Sequence, residues 1–357
     1  MENPLVSFLI SCYNQEAYIR EAVDGALRQT YSPLEIIISD DCSRDKTFEV
    51  VKQITADYQG PHAIRLNRNI KNLGIGGNHN QAIALCRGEL IIGAGGDDIS
   101  LPERTASIVH AWNDSGRKAH ILYSRCVIID EQGRSVGEVL GASVSERDLP
   151  LSHLKGEIGG FLRRRRPHVT GCAYAISRKL PEIFGPMQGA VTYEDTALCF
   201  RNILAGGLFT FIDAPLVKYR RHGQNVTFGL HWSRPNNMTE FKNFQQKRLI
   251  ELDRFVEVYK CFGADAERAF DRGLIPKVEY PKVMKRIRSE RRRFELKREL
   301  LIQPLIKRLL IFIDLFSNTL RPREMLEHTC HLLPRSMYCR ILFTRNKMQR
   351  KLRKLAI

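Results

Sequence analysis

The stretch "GELIIGAGGDDI" (residues 88–99) ends an apolar run with two glycines and two adjacent aspartates, Asp97 and Asp98. Two neighbouring carboxylates repel each other unless a cation lies between or beside them. A hard divalent cation takes oxygen ligands and can join a protein carboxylate to a diphosphate, with water in its remaining positions. The residue types therefore suggest a metal site, and the alternative is an Asp-rich turn that leads into the next element.

The elements that must position these aspartates alternate between strand and helix. Apolar runs predict strands at Val6–Ser11, Leu34–Ser39, Ala63–Leu66 and Leu90–Ile92, and helical spacing predicts helices between them. Such alternation implies right-handed crossovers and a mostly parallel sheet, in which ligands bind beyond the carboxyl ends of the strands. We therefore expect the polar residues after three of these strands to share one crevice: Ser11, Tyr13, Asn14, Asp40, Asp41, Asp97 and Asp98.

The pattern downstream of this sheet is less regular. Ser100 and Glu103 have the spacing of a capping box, which predicts a helix through Trp112. A strand is predicted at 120–130, a mobile loop region at 135–166, a helix ending at Gly206-Gly207 and a strand at 208–213. Beyond about residue 232 the pattern is helical and basic throughout.

Length and composition indicate a globular protein with one large domain and an appendage, or with two domains. The chain has 357 residues, of which 43% are hydrophobic and 27% charged. Its nine cysteines are scattered and include no C-x-x-C, and the N-terminus does not resemble a signal peptide, so we expect a reduced, cytoplasmic protein.

The net charge of +17 is concentrated in the last third of the chain. Residues 231–357 contain 30 Lys and Arg against 14 Asp and Glu, whereas residues 1–230 are nearly neutral. The basic run 285–298 and the apolar segment after it suit an amphipathic helix on an anionic membrane surface. An ordinary packed helical subdomain fits as well. Nucleic acid is the less favoured partner, because few aromatic residues alternate with the cations.

Three segments together resemble a family 2 glycosyltransferase of the GT-A fold over roughly residues 4–228. They are "VSFLISCYNQEAYIREAVDGALRQTYSPLEIIISDDCSRDKT", "NLGIGGNHNQAIALCRGELIIGAGGDDISLPER" and "YEDTALCFRNILAGGLFTFIDAPLVKYRRHGQN". The resemblance implies an α/β fold with a mostly parallel central sheet flanked by helices, followed by a basic helical C-terminal region. It places the catalytic domain at 1–230, with a donor-nucleotide half at 1–100 and an acceptor half at 101–230, and the C-terminal region at 231–357.

The activity that this resemblance implies is inverting transfer of a hexosyl or related sugar from a nucleotide-diphosphate donor to an acceptor hydroxyl. The implied cofactor is a divalent metal, Mg²⁺ or Mn²⁺. A glycan or lipid-linked acceptor is plausible, in bacterial-type assembly of cell-surface polysaccharide or glycolipid. The corresponding location is cytoplasmic, with peripheral association at the inner face of the cell membrane as a further expectation.

The catalytic and metal residues carry over onto matching positions. Asp195 matches the family's general base and Glu194 supports the acceptor, although Thr192 and Asp195 also have capping-box spacing. The implied metal ligands are Asp97, Asp98 and His222, and a structural role for this histidine is about as plausible. The family usually has Asp-x-Asp, and Gly95 stands here in place of the first acidic residue.

The donor-binding residues also come from the resemblance, which assigns Asp40 and Asp41 to the nucleotide base. A glycine-rich turn would bring the backbone of Gly76 near the donor, flanked by Asn72. Arg220 or Arg221 could serve the diphosphate. Tyr13 could contact the base or pack in the fold. The full predicted donor set is Ser11, Tyr13, Glu16, Asp40, Asp41, Asn72, Gly76, Asp97 and Arg221.

Three rival functions follow from the departures in the pattern. Gly95 allows a pseudo-enzyme that binds a sugar nucleotide without transferring the sugar. The basic third allows a nucleic-acid-binding protein. A nucleotidyltransferase on a related α/β fold would release pyrophosphate instead of a nucleoside diphosphate.

Overall fold

The computed structural model describes residues 3–141, 158–162, 169–226 and 238–303. The chain forms two compact units. The first comprises Met1–His222 and Lys260–Met284, and the second comprises Gly223–Tyr259 and Lys285–Ile357. The unit that holds the sheet therefore also includes a C-terminal segment, whereas the sequence pattern placed the domain boundary at residue 230.

The first half of the sheet consists of four parallel strands joined by helical crossovers. In chain order the elements are β1 Val6–Cys12, α1 Ile19–Leu27, β2 Leu34–Asp40, α2 Thr47–Ala56, β3 Ala63–Arg68, α3 Gly74–Leu85 and β4 Leu90–Gly95. The strand order is β3-β2-β1-β4. Cys12 pairs with Asp40, and Ser11 with Gly95, so the carboxyl ends of β1, β2 and β4 lie side by side as predicted.

The second half makes the sheet mixed. Its elements are β5 Ile99–Ser100, α4 Arg104–Asp114, β6 Ala119–Ile129, β7 Ser135–Leu140, α5 Ile158–Leu162, β8 Tyr174–Ser177, α6 Lys179–Phe184, α7 Glu194–Leu204 and β9 Leu208–Arg220. Strand β8 is antiparallel to both β4 and β6, β9 is parallel to β6, and β5 and β7 pair antiparallel with β9 and β6. The α/β class is confirmed, with the parallel arrangement confined to the β3-β2-β1-β4 half and the β6–β9 pair.

The hydrophobic core lies between the parallel strands and helices α1 and α4. Phe8, Ile36 and Ile92 are fully buried in the strands, and Ile19 and Trp112 pack from the helices. Each such side chain contributes roughly 1.5–3 kcal/mol relative to an exposed position. This core fixes the strands whose ends carry the predicted site.

Two predictions about local structure are wrong. Ser100 does not cap a helix, because it lies in β5, pairs with Val217 and accepts a hydrogen bond from Arg104 Nη1 at 2.8 Å. The helix begins at Arg104 with Glu103 at its N-cap. The region 135–166, predicted as a loop, contains β7 and α5, and its remaining residues lie outside the described part of the chain.

Two long helices follow the sheet, α8 at Met238–Asp271 and α9 at Tyr280–Ile302. Several cations of the basic run in α9 are paired along the helix itself, since Glu290 accepts from both Arg286 and Arg293, and Arg291 pairs with Glu295. Within the ranges that the structure describes, no helix combines the length and apolarity needed to cross a bilayer. Most of the apolar segment predicted as an interfacial helix lies beyond residue 303.

Candidate active site

The loops after β1 and β2 are joined by hydrogen bonds between side chains and backbone. Asn14 N donates to Ser43 Oγ at 2.9 Å, and Arg44 N donates to Asn14 Oδ1 at 2.8 Å. Glu16 Oε2 accepts from Lys46 N at 2.9 Å. Glu16, a predicted donor residue, therefore connects the two loops that border the crevice.

The carboxylates of Asp40 and Asp41 are buried and accept hydrogen bonds from neighbouring loops. Asp40 accepts from the backbone N–H and the hydroxyl of Ser43. Asp41 Oδ1 accepts from Asn69 Nδ2 at 2.9 Å and from Leu73 N at 2.8 Å. Both aspartates thus shape the backbone around the predicted nucleotide site, and Asp41 fixes the loop that leads into α3.

Two further predicted donor residues lie at the start of α3. Asn72 Oδ1 accepts from Gly74 N at 3.0 Å, which forms the turn into the helix. Gly76 N donates to Val191 O at 2.8 Å, and a Cβ at Gly76 would lie 2.7 Å from the same oxygen. The glycine is therefore required by the close approach of the segment that precedes α7.

Ser11 and Tyr13 lie at the end of β1. Ser11 O accepts from Gly96 N at 3.0 Å and thereby joins β1 to the turn after β4. Tyr13 is 38% exposed, so that its ring is open to a ligand in the crevice rather than packed in the core. This placement favours the ligand-contact interpretation of Tyr13 over the packing one.

Asp97 and His222 come together although they are 125 residues apart. Asp97 Oδ2 lies 2.9 Å from His222 Nε2, and the two side chains are 14% and 4% exposed. The ring of Tyr18 packs against the imidazole with 4.8 Å between ring centroids. A carboxylate oxygen and an imidazole nitrogen therefore meet at the end of β4.

The neighbouring Asp98 has a different environment. Its Oδ1 accepts from the backbone N–H of Arg220 at 2.9 Å, and a hydrogen bond from the Cys172 side chain reaches the same carboxyl group. Burial, and next the charge of Asp97, raise the pKa of Asp98 well above its usual value. The carboxyl group of Asp98 thus interacts with groups inside the protein. Of the two aspartates, Asp97 is the better placed to coordinate a metal ion.

Gly95 lies beneath both carboxylates. A Cβ at this position would lie 2.8 Å from Asp97 Oδ1 and 2.9 Å from Asp98 Oδ2, closer than real Cβ contacts occur. Any side chain at position 95 therefore requires the Asp97 or Asp98 carboxylate to shift. The glycine that stands here in place of the first Asp of Asp-x-Asp therefore matches the close packing of the Asp97 and Asp98 carboxylates above it.

The two arginines before His222 are engaged within the protein. Arg220 is fully buried, and its guanidinium donates to backbone oxygens and to Glu21. Arg221 Nη1 donates to Glu138 Oε2 at 2.8 Å. Arg220 is therefore a structural residue, whereas the partly exposed Arg221 has an acidic partner in β7 that a phosphate would have to displace.

Glu194 and Asp195 occupy the first turn of α7. The helix begins at Glu194 with Tyr193 at its N-cap, and no capping hydrogen bond from a side chain is present there in the described structure. The N-cap position is thus held by Tyr193, whereas the capping-box alternative places Thr192 there. Burial, and next the charge of Asp195, raise the pKa of Glu194 to about 8, so Glu194 carries a proton at neutral pH.

Both acidic pairs have a residue beside the dipeptide Gly171-Cys172. The thiol of Cys172 bonds Asp98, and a Cβ at Gly171 would lie 3.2 Å from Glu194 Oε1. Sequence reasoning missed this dipeptide and Tyr18, and it considered Arg220 only as a possible diphosphate residue. Nothing in their local pattern signals a contact with residues so distant along the chain.

A divalent cation would find few protein ligands here. Over the described residues, no group of three or more His, Cys, Asp or Glu side chains has a metal-binding arrangement. Mg²⁺ in phosphate-transfer sites is commonly held by one or two carboxylates together with substrate phosphates and water. The Asp97–His222 pair fits a site of that kind, in which the diphosphate supplies further oxygens.

A parallel strand set that ends in acidic loops, followed by antiparallel strands and a helix with a second acidic pair, is the arrangement of the GT-A fold. Residues 7–166 match the family model described as glycosyl transferase family 2. The N-terminal part of the chain belongs to glycosyl transferase family 2.

Relatives and solved structures agree with this membership. An uncharacterized glycosyltransferase of Rickettsia felis is 32% identical over 222 residues, which cover 62% of this chain and 35% of that protein. One of Rickettsia typhi is 34% identical over 227 residues, covering 63% and 66%. Against these relatives, the chain spans from about a third to about two thirds of their length. The structure of Staphylococcus aureus TarS 1–349 in complex with UDP superposes with a TM-score of 0.55 at 15% identity, covering 96% of this chain and 88% of TarS, which shows the fold alone.

Proposed function

We propose that this chain transfers a hexosyl or related sugar from a nucleotide-diphosphate donor to an acceptor hydroxyl, with inversion at the anomeric carbon and with help from Mg²⁺ or Mn²⁺. The observation that carries the proposal is the Gly171-Cys172 dipeptide beside both acidic pairs. Its proximity to both pairs supports a single site, in which a metal with the diphosphate would lie at one end and a base at the other, as a displacement at the sugar between them requires.

Asp97 and His222 would hold the metal on the donor side, and Asp98 would support Asp97 from within the protein. When bound, the metal neutralises negative charge on the departing nucleoside diphosphate. Asp97 would supply a carboxylate oxygen and His222 an imidazole nitrogen. Because both side chains are largely buried, they are held in place before the donor arrives.

On the acceptor side, Asp195 would act as the general base and Glu194 as a hydrogen-bond donor. Glu194 is protonated at neutral pH, so its carboxyl group can donate to an acceptor oxygen but cannot remove a proton. Asp195, whose charge contributes to that raised pKa, would take the proton of the acceptor hydroxyl. Attack from the face opposite the diphosphate then gives inversion.

The donor nucleotide would lie over the loops after β1, β2 and β3. Tyr13 offers an exposed ring to the base, and the loops that Asp40, Asp41, Glu16 and Asn72 fold form the walls. Ser11 and Gly76 set how closely the backbone segments approach, and Arg221 would exchange Glu138 for a phosphate. Each assignment is tested by the effect of its replacement on donor affinity.

The acceptor that we favour is a growing cell-surface glycan or a lipid-linked saccharide. The strongly basic composition of residues 231–357 supports association with an anionic membrane surface at the cytoplasmic face. The ion pairs along α9 neutralise part of that charge, so this support comes mainly from composition.

The deciding experiment is a screen of UDP-, GDP- and dTDP-sugars with Mg²⁺ or Mn²⁺, measuring released nucleoside diphosphate by mass spectrometry. We expect one donor to be consumed, and Asp195→Asn to abolish turnover while donor binding persists. Asp57→Asn, at an exposed position after α2, serves as the matched control and should be fully active. Donor binding without turnover in the unaltered chain would indicate a pseudo-enzyme, and release of pyrophosphate a nucleotidyltransferase. If no donor binds with either metal, the proposal is wrong.

A further inference from the structure

Arg220 is among the largest fully buried side chains of the first unit, and every nitrogen of its guanidinium donates a hydrogen bond. Its Nε donates to Asp97 O at 3.0 Å and its Nη1 to Glu131 O at 3.0 Å. Its Nη2 donates to Glu21 Oε1 at 3.0 Å, and this ion pair balances the buried charge. One side chain thus ties the turn after β4 to α1 and to the turn between β6 and β7.

The backbone of Arg220 acts on the same turn. Its backbone N–H donates to the carboxylate of Asp98, and its guanidinium donates to the backbone carbonyl of Asp97. Arg220 therefore holds both aspartates of the pair. His222 follows two residues later and meets the carboxylate of Asp97. The distance between the two predicted ligands is therefore set by where Arg220 places the end of β9 against the turn.

Tyr18, the N-cap residue of α1, completes the arrangement. Its ring centroid is 5.0 Å from Arg220 Cζ, within the range of a cation–π contact, and 4.8 Å from the centroid of the His222 ring. The planes of the tyrosine and histidine rings differ by 35°. The tyrosine ring therefore restricts the rotation of the imidazole whose Nε2 points at Asp97.

We propose that Arg220 and Tyr18 are positioning residues that hold Asp97 and His222 in a metal-binding arrangement before the metal and the diphosphate arrive. The inference rests on the proposed function, since it assigns that pair to a metal. It adds that a two-ligand site can bind because its ligands are fixed by a buried guanidinium and an aromatic ring. Ordering of ligands by such outer contacts raises metal affinity without any further ligand.

The test measures binding of Mn²⁺ alone to the full chain by electron paramagnetic resonance, at a temperature where circular dichroism shows each variant to be folded. Tyr18→Leu removes the ring, and Arg220→Lys keeps the charge but loses the planar fork. We expect each to weaken Mn²⁺ binding by about 10–100-fold, the usual effect of removing an outer-shell partner. Tyr18→Phe keeps the ring and should bind within about twofold of the unaltered chain, because its hydroxyl takes no part in the stacking.

The matched control is Arg201→Lys, which makes the same replacement in an equally buried arginine whose partner is Asp265. It should lose stability and keep its affinity for Mn²⁺. If Tyr18→Leu binds Mn²⁺ as tightly as the unaltered chain, the positioning role is refuted, whatever happens to the melting temperature. Should Arg220→Lys fail to fold, Tyr18→Leu decides alone. An unaltered chain that binds no Mn²⁺, either alone or with UDP or GDP added, would instead refute the metal site itself, and with it the inference.

Discussion

Replacing Gly95 with aspartate would restore the acidic residue that the family usually carries two positions before Asp97, and we predict that it harms the site. The Cβ alone would lie 2.8 Å from Asp97 Oδ1 and 2.9 Å from Asp98 Oδ2. Asp98 is buried and hydrogen-bonded to Arg220 N, so Asp97 is the side chain that must move. Its movement would lengthen the 2.9 Å contact with His222 Nε2.

The magnitude follows from packing and charge together. Overpacking a well-packed position costs typically about 1–3 kcal/mol. If that cost falls on the arrangement that binds the metal, affinity for Mn²⁺ decreases by roughly 5–150-fold, since about 1.4 kcal/mol corresponds to tenfold. Gly95→Ala should show most of this loss, because it adds the Cβ without the charge, and Gly95→Asp adds repulsion from two neighbouring carboxylates.

The assay is titration of the full chain with Mn²⁺, followed by turnover of whichever donor the screen identifies. Gly263→Ala is the matched control, because a Cβ at Gly263 would contact nothing within 4 Å. Tighter Mn²⁺ binding or faster turnover in Gly95→Asp would refute the reasoning, since it would show that Asp97 and His222 do not need the space above Gly95.

Four further predictions concern other parts of the first unit. Because the pKa of Glu194 is raised to about 8, its carboxyl group is protonated below that pH, and kcat/KM should fall as pH rises through about 8. Glu194→Gln stays neutral, so its pH–rate profile should lose this decrease at alkaline pH. An unchanged decrease in Glu194→Gln would contradict the role of Glu194 as a hydrogen-bond donor. The same shift means that ionisation of Glu194 opposes folding increasingly between about pH 4.5 and 8, so Glu194→Gln should flatten the decline of melting temperature with pH over that range. Asp265→Ala leaves the 2%-exposed Arg201 without its carboxylate partner and should lower the free energy of unfolding in urea titrations by about 3–5 kcal/mol. A double variant with Met in place of Arg201 and Leu in place of Asp265 should recover most of this free energy. A double variant as unstable as Asp265→Ala would show that the contribution of the pair is not electrostatic. Gly263→Ala should stabilise the chain by about 0.5–1 kcal/mol, because it lies inside α8 with open space at its Cβ, and thermal unfolding would reveal any loss that contradicts this.

The sequence predicts the parts of the fold that depend on local patterning. Apolar runs at Val6 and Leu34 identify strands because their side chains are buried in the final sheet, and the acidic residues after them fall at its carboxyl edge for topological reasons. The short β8 is missed, since four residues between a loop and a helix give no periodic signal. Ser100 has the spacing of a helix cap, but pairing with Val217 in β5 overrides that local preference.

The site itself is only partly predictable, because its geometry depends on contacts between distant residues. Asp97 meets His222, and Gly76 meets Val191, across more than a hundred residues of chain. Residue type indicates that Asp97 and His222 can bind a metal, but it gives no sign of the Arg220 guanidinium that fixes them. The protonated state of Glu194 is likewise a consequence of burial and of Asp195, which local pattern does not reveal.

The glycines at the end of β4 and directly after it, Gly93, Gly95 and Gly96, connect these distant contacts. A Cβ at Gly93 would lie 2.7 Å from Tyr174 Cζ, so this position admits the ring of a β8 residue whose own pKa is raised by burial and by Glu194. A Cβ at Gly96 would lie 2.7 Å from the Cβ of Cys12 in β1. With Gly95 beneath the carboxylates, three glycines leave space for three different approaches: the ring of Tyr174, the carboxylates of Asp97 and Asp98, and Cys12 of β1. The glycine in place of the family's first acidic residue is therefore one of several small residues that allow close packing around the end of β4.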